Sequence, residues 1–133
     1  MNPKYPVVAR RAGHRCEYCH APEAVFIFPF EVEHILPASR GGTEVEANLC
    51  RSCRACNLRK SDRLVALDEI TGEEVALFHP RQQRWDEHFR VESESGEIQG
   101  TTPIGRATAV GLDLNHPLQL MARLLWIRLR MFP

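Results

Sequence analysis

Hydrophobic and polar positions predict a series of short elements in the first half of the chain. Apolar residues run into two arginines and Gly13, which predicts a helix over residues 6–12. An apolar run at residues 25–28 is interrupted by Pro29 and resumes at residues 30–35. We read both runs as one strand with the proline at an edge or a bulge, because proline has no N–H for the sheet.

The resumed run alternates, so its side chains divide between two faces of the strand. One face carries Phe30, Val32 and His34, and the other carries Glu31, Glu33 and Ile35. A polar loop follows at residues 37–43, and a second strand is expected around residues 47–50. A helix over residues 54–64 completes this part of the chain.

The second half of the chain predicts smaller elements separated by turn residues. Residues 68–72 form a turn before a strand at 74–78. Pro80 is expected to open a short helix in which Trp85 and Phe89 pack one turn apart.

Two further signals lie near the end of the chain. The Ser95-Gly96 pair between apolar runs predicts a hairpin, and Thr102-Pro103 predicts a helix with threonine as its N-cap. From Pro117 onward apolar residues recur at helical spacing, namely Leu118, Met121, Leu124, Leu125 and Leu129. We expect this face to dock on the core, and recruitment of a partner protein is the alternative that stays open.

Length and composition set the class of protein. The chain has 133 residues, of which 17 are Lys or Arg and 17 are Asp or Glu, so its formal net charge is zero. One compact domain with an appended segment is the expectation. Neutrality removes the whole-chain charge argument for nucleic acid or an anionic membrane. No apolar run approaches the roughly 18 residues of a membrane span, and no secretion signal opens the chain, so we predict the cytoplasm and no membrane contact.

The two halves of the neutral chain have opposite net charges. Residues 1–66 carry 10 basic and 7 acidic side chains, whereas residues 67–133 carry 7 basic and 10 acidic ones. The basic excess concentrates near residues 51–63, where Asp62 is the one opposing acid. Its members are Arg51, Arg54, Arg59, Lys60 and Arg63. We place a domain boundary at residue 66, with an extension over 67–133 that packs on the core.

The cysteines have the spacing of metal ligands. All five lie in the first half, at Cys16, Cys19, Cys50, Cys53 and Cys56. Two Cys-x-x-Cys pairs let four thiolates face one ion, so Cys16, Cys19, Cys53 and Cys56 predict a closed structural zinc site. The alternative is a set of buried free thiols. Cys50 is expected to be a small buried residue beside the site.

Several short motifs lie between and beside these cysteines. They are Glu33-His34-Ile35-Leu36-Pro37, Gly41-Gly42, Asn48-Leu49, Cys53-x-x-Cys56-Asn57 and Asn57-x-x-Lys60-Ser61-Asp62. With the first cysteine pair, they resemble the HNH endonuclease family in its zinc-stapled, four-cysteine form. The resemblance covers about residues 10–64. Around His34 and Asn57 the chain also looks like the HNH cleavage domain of CRISPR effector nucleases, which lack the cysteine site.

One position departs from the family pattern. The third signature residue is often histidine and is Asn57 here, which makes the chain similar to the His-Asn-Asn variant. An amide oxygen is a harder ligand than imidazole and suits Mg²⁺ or Mn²⁺. The resemblance implies an α+β fold, in which a small treble-clef-like ββα-metal finger carries the zinc site. The α/β extension that ends in a helix would follow this finger.

The resemblance also implies roles for individual residues. His34 would activate water as the general base, and Asn48 would brace the loop that orients it. Glu33 and Asn57 would hold the divalent cation, which stabilises the phosphoryl group while a DNA phosphodiester is hydrolysed. Because neighbouring strand residues point to opposite faces, Glu33 and His34 converge only if the strand is distorted or the ion sits at its end.

Nucleic-acid contacts are expected from the basic cluster. Arg51, Arg54, Arg59 and Lys60 are the candidates for the phosphates of double-stranded DNA, and a solvated helix charge is the alternative for Lys60. A non-catalytic, zinc-stapled nucleic-acid-binding module is the competing function, since it needs neither Glu33 nor His34. A protein partner or an oligomer stays open. The remaining histidines are interpreted as structural: His14, His20, His79, His88 and His116.

Overall fold

Three two-stranded antiparallel sheets and five α-helices alternate along residues 2–133, the part of the chain that the computed structural model describes. In chain order the elements are α1 (Tyr5–Arg11), β1 (Glu31–His34), β2 (Leu49–Ser52), α2 (Arg54–Lys60), β3 (Val65–Asp68), β4 (Glu73–Ala76), α3 (Trp85–His88), β5 (Phe89–Val91), β6 (Ile98–Gly100), α4 (Pro103–Gly111) and α5 (Pro117–Arg128). The predicted α+β class is confirmed.

The first sheet and the following helix form a ββα unit. Glu33 lies opposite Cys50 and His34 lies opposite Leu49 in the β1–β2 ladder. All four residues of β2 are buried, whereas the exposure of β1 changes from residue to residue. Cys53 ends this sheet and caps α2, because its sulfur accepts the backbone N–H of Cys56. The α2 helix therefore begins directly at the sheet.

The strand predicted at residues 25–28 is wrong. Glu23–Val25 forms a 3₁₀ turn, and the sheet begins only after Pro29, at Glu31. Ile27 is 94% exposed, while the Phe26 ring packs against Phe30 with the centroids 4.9 Å apart. Pro29 offers no N–H, so the apolar run is separated from the ladder instead of extending it.

The helix predicted to reach residue 64 is shorter. It ends at Lys60, because Ser61 has φ near 50°, a left-handed conformation that a helix cannot continue through. The chain then enters β3, a strand that the hydrophobic pattern did not predict. Its buried member is a charged residue, Asp68, whose carboxylate binds the guanidinium of Arg106 at 2.9 and 3.0 Å.

The second half confirms most of the predicted elements. β5 and β6 form the hairpin, and Thr102 caps α4 by accepting the N–H of Gly105 at 3.0 Å. The helix expected at Pro80 begins only at Trp85, since residues 79–83 form hydrogen-bonded turns on the His79 carbonyl. The predicted contact of Trp85 with Phe89 is present, with the ring centroids 5.0 Å apart.

Helix α5 forms where predicted, but the face expected to dock on the core points to solvent. Leu118, Met121 and Leu129 are each about two-thirds exposed, and Leu125 is half exposed. The buried side chain of the helix is Arg123, which donates to the carbonyls of Gly96 and Leu114 at 2.7 Å. The two backbone carbonyls that accept hydrogen bonds from Arg123 therefore favour the inward orientation of this face of α5.

One hydrophobic core joins the two parts of the chain. Its buried members run from Cys16 and Phe30 in the first part to Phe78, Ile98 and Leu114 in the second. The two parts of the chain therefore share one interior. The domain boundary at residue 66 stays a prediction. Among residues 2–133, none of the helices has the length and hydropathy that crossing a membrane needs.

Candidate functional site

Four buried cysteines converge beneath the start of α2. The sulfur atoms of Cys16, Cys19, Cys53 and Cys56 all lie within 4.8 Å of one another, and we name this cluster the cysteine cage. The Cys19 and Cys53 sulfurs are 3.8 Å apart. Four sulfurs held tetrahedrally about 2.3 Å from a zinc ion are separated by about 3.8 Å, so the cage has the size that zinc needs.

Backbone donors support the cage on both sides. The Cys19 and Cys56 N–H groups each donate to the sulfur three residues earlier, at 3.5 Å. Hydrogen bonds from the Cys16 and Cys19 thiols lower the pKa of Cys53, which favours the thiolate form that binds metal. The donor set is soft, closed and buried. It fits a structural zinc ion and leaves no ligand position for a substrate.

Two residues beside the cage have the structural surroundings that the sequence predicted. Cys50 is buried outside the cage, with its sulfur 3.6 Å from the Tyr18 hydroxyl. His20 stacks on Trp85 with ring centroids 4.0 Å apart, and burial lowers its pKa to about 4. A neutral, stacked imidazole is a structural side chain, as the sequence analysis expected for His20.

A buried cation from the far end of the chain interacts electrostatically with the cage. Arg123 of α5 is 1% exposed, and burial lowers its pKa while the thiols of the four cage cysteines raise it. A tetrathiolate zinc site has a formal charge of about −2, which a nearby guanidinium partly neutralises. Sequence analysis assigned no role to Arg123, because it lies among the leucines of an apolar helix.

His34 stands at the end of β1 with its imidazole accessible. Its side chain is 25% exposed, and Nε2 lies 2.6 Å from Oε1 of Glu44. Glu44 is itself 62% exposed and follows a loop at residues 36–43, which we name the Asn48 loop. A single imidazole at a sheet end, open to solvent, is placed to exchange a proton with a water molecule.

Asn48 holds the Asn48 loop through its side chain. Its Nδ2 donates to the carbonyls of Leu36 and Thr43 at 3.0 and 2.9 Å, and its Oδ1 accepts the Leu36 N–H at 2.8 Å. The Asn48 carbonyl also accepts the N–H of Ile35. These bonds connect both ends of the loop to the residues that flank His34.

Glu33 points away from His34 into the interior. It is 6% exposed, and its Oε1 lies 3.3 Å from the Lys60 ammonium, which also donates to the Ile35 carbonyl at 3.0 Å. The other oxygen, Oε2, is 3.4 Å from the Cys50 sulfur. Burial raises the pKa of Glu33 to about 7, and the Lys60 charge opposes that rise.

The structure keeps Glu33 and His34 on opposite faces of β1. The β1–β2 register is continuous over all four residues, so of the two alternatives from sequence, a distorted strand or an ion at its end, the distortion is not found. Asn57 lies half-buried on α2, one turn before Lys60. Oε1 of Glu33 forms the ion pair with Lys60 but no hydrogen bond of regular geometry within the described residues, so a cation bound there would share this oxygen with the ammonium.

Two of the four predicted nucleic-acid contacts need correction. Arg51 is fully buried, with its guanidinium over the Tyr5 ring and paired with Glu23. Lys60 is 2% exposed and pairs with Glu33. Neither cation reaches the surface, because Lys60 neutralises the buried carboxylate of Glu33 and Arg51 neutralises the partly buried carboxylate of Glu23.

Some of the other basic residues hydrogen-bond to backbone carbonyls, and Arg54 is exposed. Arg59 donates to the Asp113 carbonyl at 3.0 Å, and Arg63 donates to the carbonyls of Arg59 and Gly111 at the end of α4. Arg54 is exposed at the first turn of α2. Of the predicted contacts, Arg54 is therefore the one with its charge free for a phosphate.

Sequence reasoning missed Glu44. Ten residues separate it from His34, and nothing in that spacing pairs an acid with a histidine across a loop. The usable signals were the Gly41-Gly42 turn and Asn48, which together indicate a short loop that folds back on the strand.

Comparison with known proteins identifies the first part of the chain. A family model described as HNH endonuclease matches residues 16–63, from the first cysteine of the cage to just beyond α2. No curated protein and no solved structure matches the chain. The match indicates a nuclease or another nucleic-acid-related activity and agrees with the resemblance carried by the motifs. The residues that this HNH endonuclease model matches, 16–63, contain the cysteine cage, His34, Asn48 and Asn57.

Proposed function

We propose that this protein is a metal-dependent HNH endonuclease that hydrolyses DNA phosphodiester bonds, with His34 as the general base. The observation that supports this most is the surroundings of His34. A quarter-exposed imidazole stands at a strand end beside a loop that Asn48 holds with three side-chain hydrogen bonds. Such fixed placement of one base is what a proton-transfer step needs.

His34 would accept the proton of the attacking water during hydrolysis. Imidazole is mostly neutral near neutral pH, so it can take a proton from the attacking water. The water oxygen bonds to phosphorus, the bond from phosphorus to the leaving oxygen breaks, and that oxygen takes a proton from solvent. A general base of this kind contributes on the order of 10²–10⁴-fold to the rate.

Glu33 and Asn57 are the proposed holders of a catalytic Mg²⁺ or Mn²⁺. The donor set is a carboxylate and an amide oxygen, which suits a hard cation, and Oε1 of Glu33 accepts no hydrogen bond within the described residues. When bound, the cation would stabilise negative charge on the phosphoryl and leaving oxygens. The Lys60 ammonium beside Glu33 would have to share this carboxylate.

DNA would be bound mainly through its phosphates, with Arg54 as the proposed contact. Its guanidinium is exposed on α2, the helix that also carries Asn57. A chain of zero net charge offers few such contacts. We therefore expect modest affinity that falls steeply with added salt.

The second candidate is a zinc-stapled nucleic-acid-binding module without catalysis. The ion pair between Glu33 and Lys60 favours it, because a buried ammonium already neutralises the carboxylate proposed for the cation. This module would keep the cysteine cage and Arg54 and would need no free base at His34.

Cleavage of supercoiled plasmid distinguishes the two functions. Wild type, His34→Ala and His14→Ala are compared at equal zinc content, with Mg²⁺ or Mn²⁺ added. His14 is a matched control, since it is an exposed histidine outside the site. We expect metal-dependent nicking that drops about 100-fold or more in His34→Ala and persists in His14→Ala.

The remaining outcomes exclude the proposal. Equal nicking by wild type and His34→Ala would indicate a contaminating nuclease. No cleavage by wild type, with DNA still shifted in a gel, would support the binding module.

A further inference from the structure

The contact between His34 and Glu44 determines which nitrogen of the imidazole carries a proton. Nε2 of His34 lies 2.6 Å from Oε1 of Glu44, a short hydrogen-bond distance. An ionised carboxylate only accepts hydrogen bonds, so the proton of a neutral His34 must sit on Nε2. Nδ1 is then the nitrogen with the free electron pair.

Glu44 is held in place by its neighbours on both sides. The carbonyl of Thr43 accepts Nδ2 of Asn48 at 2.9 Å, and the carbonyl of Glu44 itself accepts the Lys4 ammonium at 2.5 Å. On the other side of the turn, a side chain at Gly42 would overlap the Leu36 carbonyl oxygen. The backbone that presents the Glu44 carboxylate is therefore fixed independently of His34.

We propose that Glu44 is a positioning residue for His34: it holds the Nε2 proton and so directs Nδ1 toward the attacking water. This inference rests on the proposed nuclease function and adds to it a residue outside the motifs named in the sequence analysis. Glu44 does not touch the substrate in this account. It acts through the imidazole, as the orienting partner of a base does in other hydrolases.

The same contact assists the proton transfer. When Nδ1 takes the proton of the water, both ring nitrogens carry hydrogen and the ring becomes cationic. The Nε2–H bond to a carboxylate is then charge-assisted, which makes it stronger in the product of the step than before it. An interaction that strengthens along the reaction raises kcat more than it improves binding.

Glu44 contributes little to the stability of the fold. Its side chain is 62% exposed, and solvent-exposed pairs of this kind contribute little to the free energy of unfolding. The bond from Lys4 to its carbonyl, and the bond from Asn48 to the neighbouring Thr43 carbonyl, do not depend on the Glu44 side chain. Removing the carboxylate should therefore leave the protein folded, which allows its effect on the site to be measured.

Nuclear magnetic resonance tests the contact without relying on activity. Full-length protein carrying ¹⁵N-histidine is recorded as zinc-loaded wild type, Glu44→Ala and Glu46→Ala, and the signal of His34 is assigned with His34→Gln. Glu46 is the matched control, an exposed acid two residues away. We expect a protected Nε2–H cross-peak in wild type and Glu46→Ala that is lost in Glu44→Ala. Its absence from wild type, or its survival in Glu44→Ala, would overturn the proposal.

Cleavage kinetics test the effect of Glu44 on catalysis. We expect Glu44→Ala to lower kcat for plasmid nicking about 10-fold or more, less than the loss of the base itself, with KM for DNA nearly unchanged. Glu44→Gln keeps an oxygen acceptor without the charge, so it should recover part of kcat. Unchanged kcat in Glu44→Ala, or a rise in KM alone, would contradict the proposed role.

The resonance and kinetic experiments together distinguish failure of this inference from failure of the proposed function. If wild type has no nuclease activity, the proposed function fails, and the resonance experiment alone still decides whether Glu44 holds the His34 proton. If wild type cleaves DNA and His34→Ala does not, but Glu44→Ala behaves as wild type, the nuclease stands and the positioning role is rejected.

Discussion

Glu33 carries a buried carboxylate whose protonation changes near neutral pH. Burial raises its pKa from 4.5 to about 7, even though the Lys60 ammonium lies 3.3 Å away. In the unfolded chain the same group loses its proton near pH 4.5. Between these two values the folded protein holds a proton that the unfolded chain has released, so stability falls as pH rises through this window.

Replacing Glu33 with glutamine should remove that pH dependence. A shift of this size makes the wild type lose about 2 kcal/mol of unfolding free energy between pH 5.5 and pH 8, a loss that Glu33→Gln does not show. Urea unfolding of both proteins at several pH values, with zinc in excess, measures the difference.

The control for this measurement is Glu31→Gln on the same strand. Glu31 is exposed, so its replacement should leave the slope of stability against pH as in wild type. If wild type and Glu33→Gln have parallel profiles, the Glu33 carboxyl is not protonated in the folded protein near neutral pH.

Asn48 acts at the scale of an element, because its side chain closes the Asn48 loop. Asn48→Ala removes three hydrogen bonds, to Leu36 and Thr43, and should lower the unfolding free energy by about 2 kcal/mol. Asn48→Asp keeps the oxygen that accepts the Leu36 N–H but loses the donors, so it should fall between the two. Urea unfolding at pH 7 measures all three proteins.

The loop should also become locally mobile in Asn48→Ala. Amide hydrogen exchange over residues 36–44 is expected to accelerate, while exchange in α4 stays as in wild type. Unchanged protection of the loop in Asn48→Ala would show that backbone turns alone hold it.

Elements with local sequence signals were predictable, and elements that depend on distant partners were not. Thr102-Pro103 predicted the start of α4 because capping involves neighbouring residues only. The orientation of α5 could not be predicted, since the carbonyls that attract Arg123 come from residues 96 and 114. The same holds for β3, whose buried Asp68 needs Arg106 across the fold.

The candidate site follows the same rule. The Cys-x-x-Cys pairs predicted the cysteine cage, because short spacing fixes the geometry of each pair. The interior positions of Arg51 and Lys60 were not predictable, because their partners Glu23 and Glu33 lie 28 and 27 positions away. The cluster of basic residues in the sequence therefore indicated a charged surface, but the fold buries Arg51 and Lys60.

At the scale of the whole molecule, the cysteine cage and the second half support each other. The Trp85 indole donates to the carbonyl of Tyr18, which lies between the first two cage cysteines, at 2.8 Å. Phe89, Ile98 and Leu112 belong to the same buried cluster as the cage. Loss of zinc should therefore reach beyond residue 66.

Removal of zinc should unfold the chain as one unit. Binding energy at a structural zinc site is folding energy, so chelation is expected to abolish the helical circular dichroism signal and shift the fluorescence of Trp85 and Trp126 together. Mg²⁺ removal should leave both signals unchanged. Retention of most of the helical signal after zinc loss would contradict the shared core.

Cysteine variants provide the matched comparison for zinc content. Cys16→Ala should bind less than one zinc per chain and be largely unfolded, because a cage ligand is lost. Cys50→Ala, a buried cysteine outside the cage, should retain one zinc per chain by atomic emission spectroscopy. One zinc lost equally in both variants would place Cys50 among the ligands.

The buried arginine of α5 has a consequence for synthesis on the ribosome. The last cage cysteine leaves the ribosome roughly 70 residues before Arg123, a delay of several seconds at about 5–20 residues per second. During that delay the nascent chain holds the four cage cysteines without the Arg123 guanidinium and without the second half of the core. Translation therefore passes through an interval in which the cage is open to competing metals and oxidants, and a slower ribosome lengthens it.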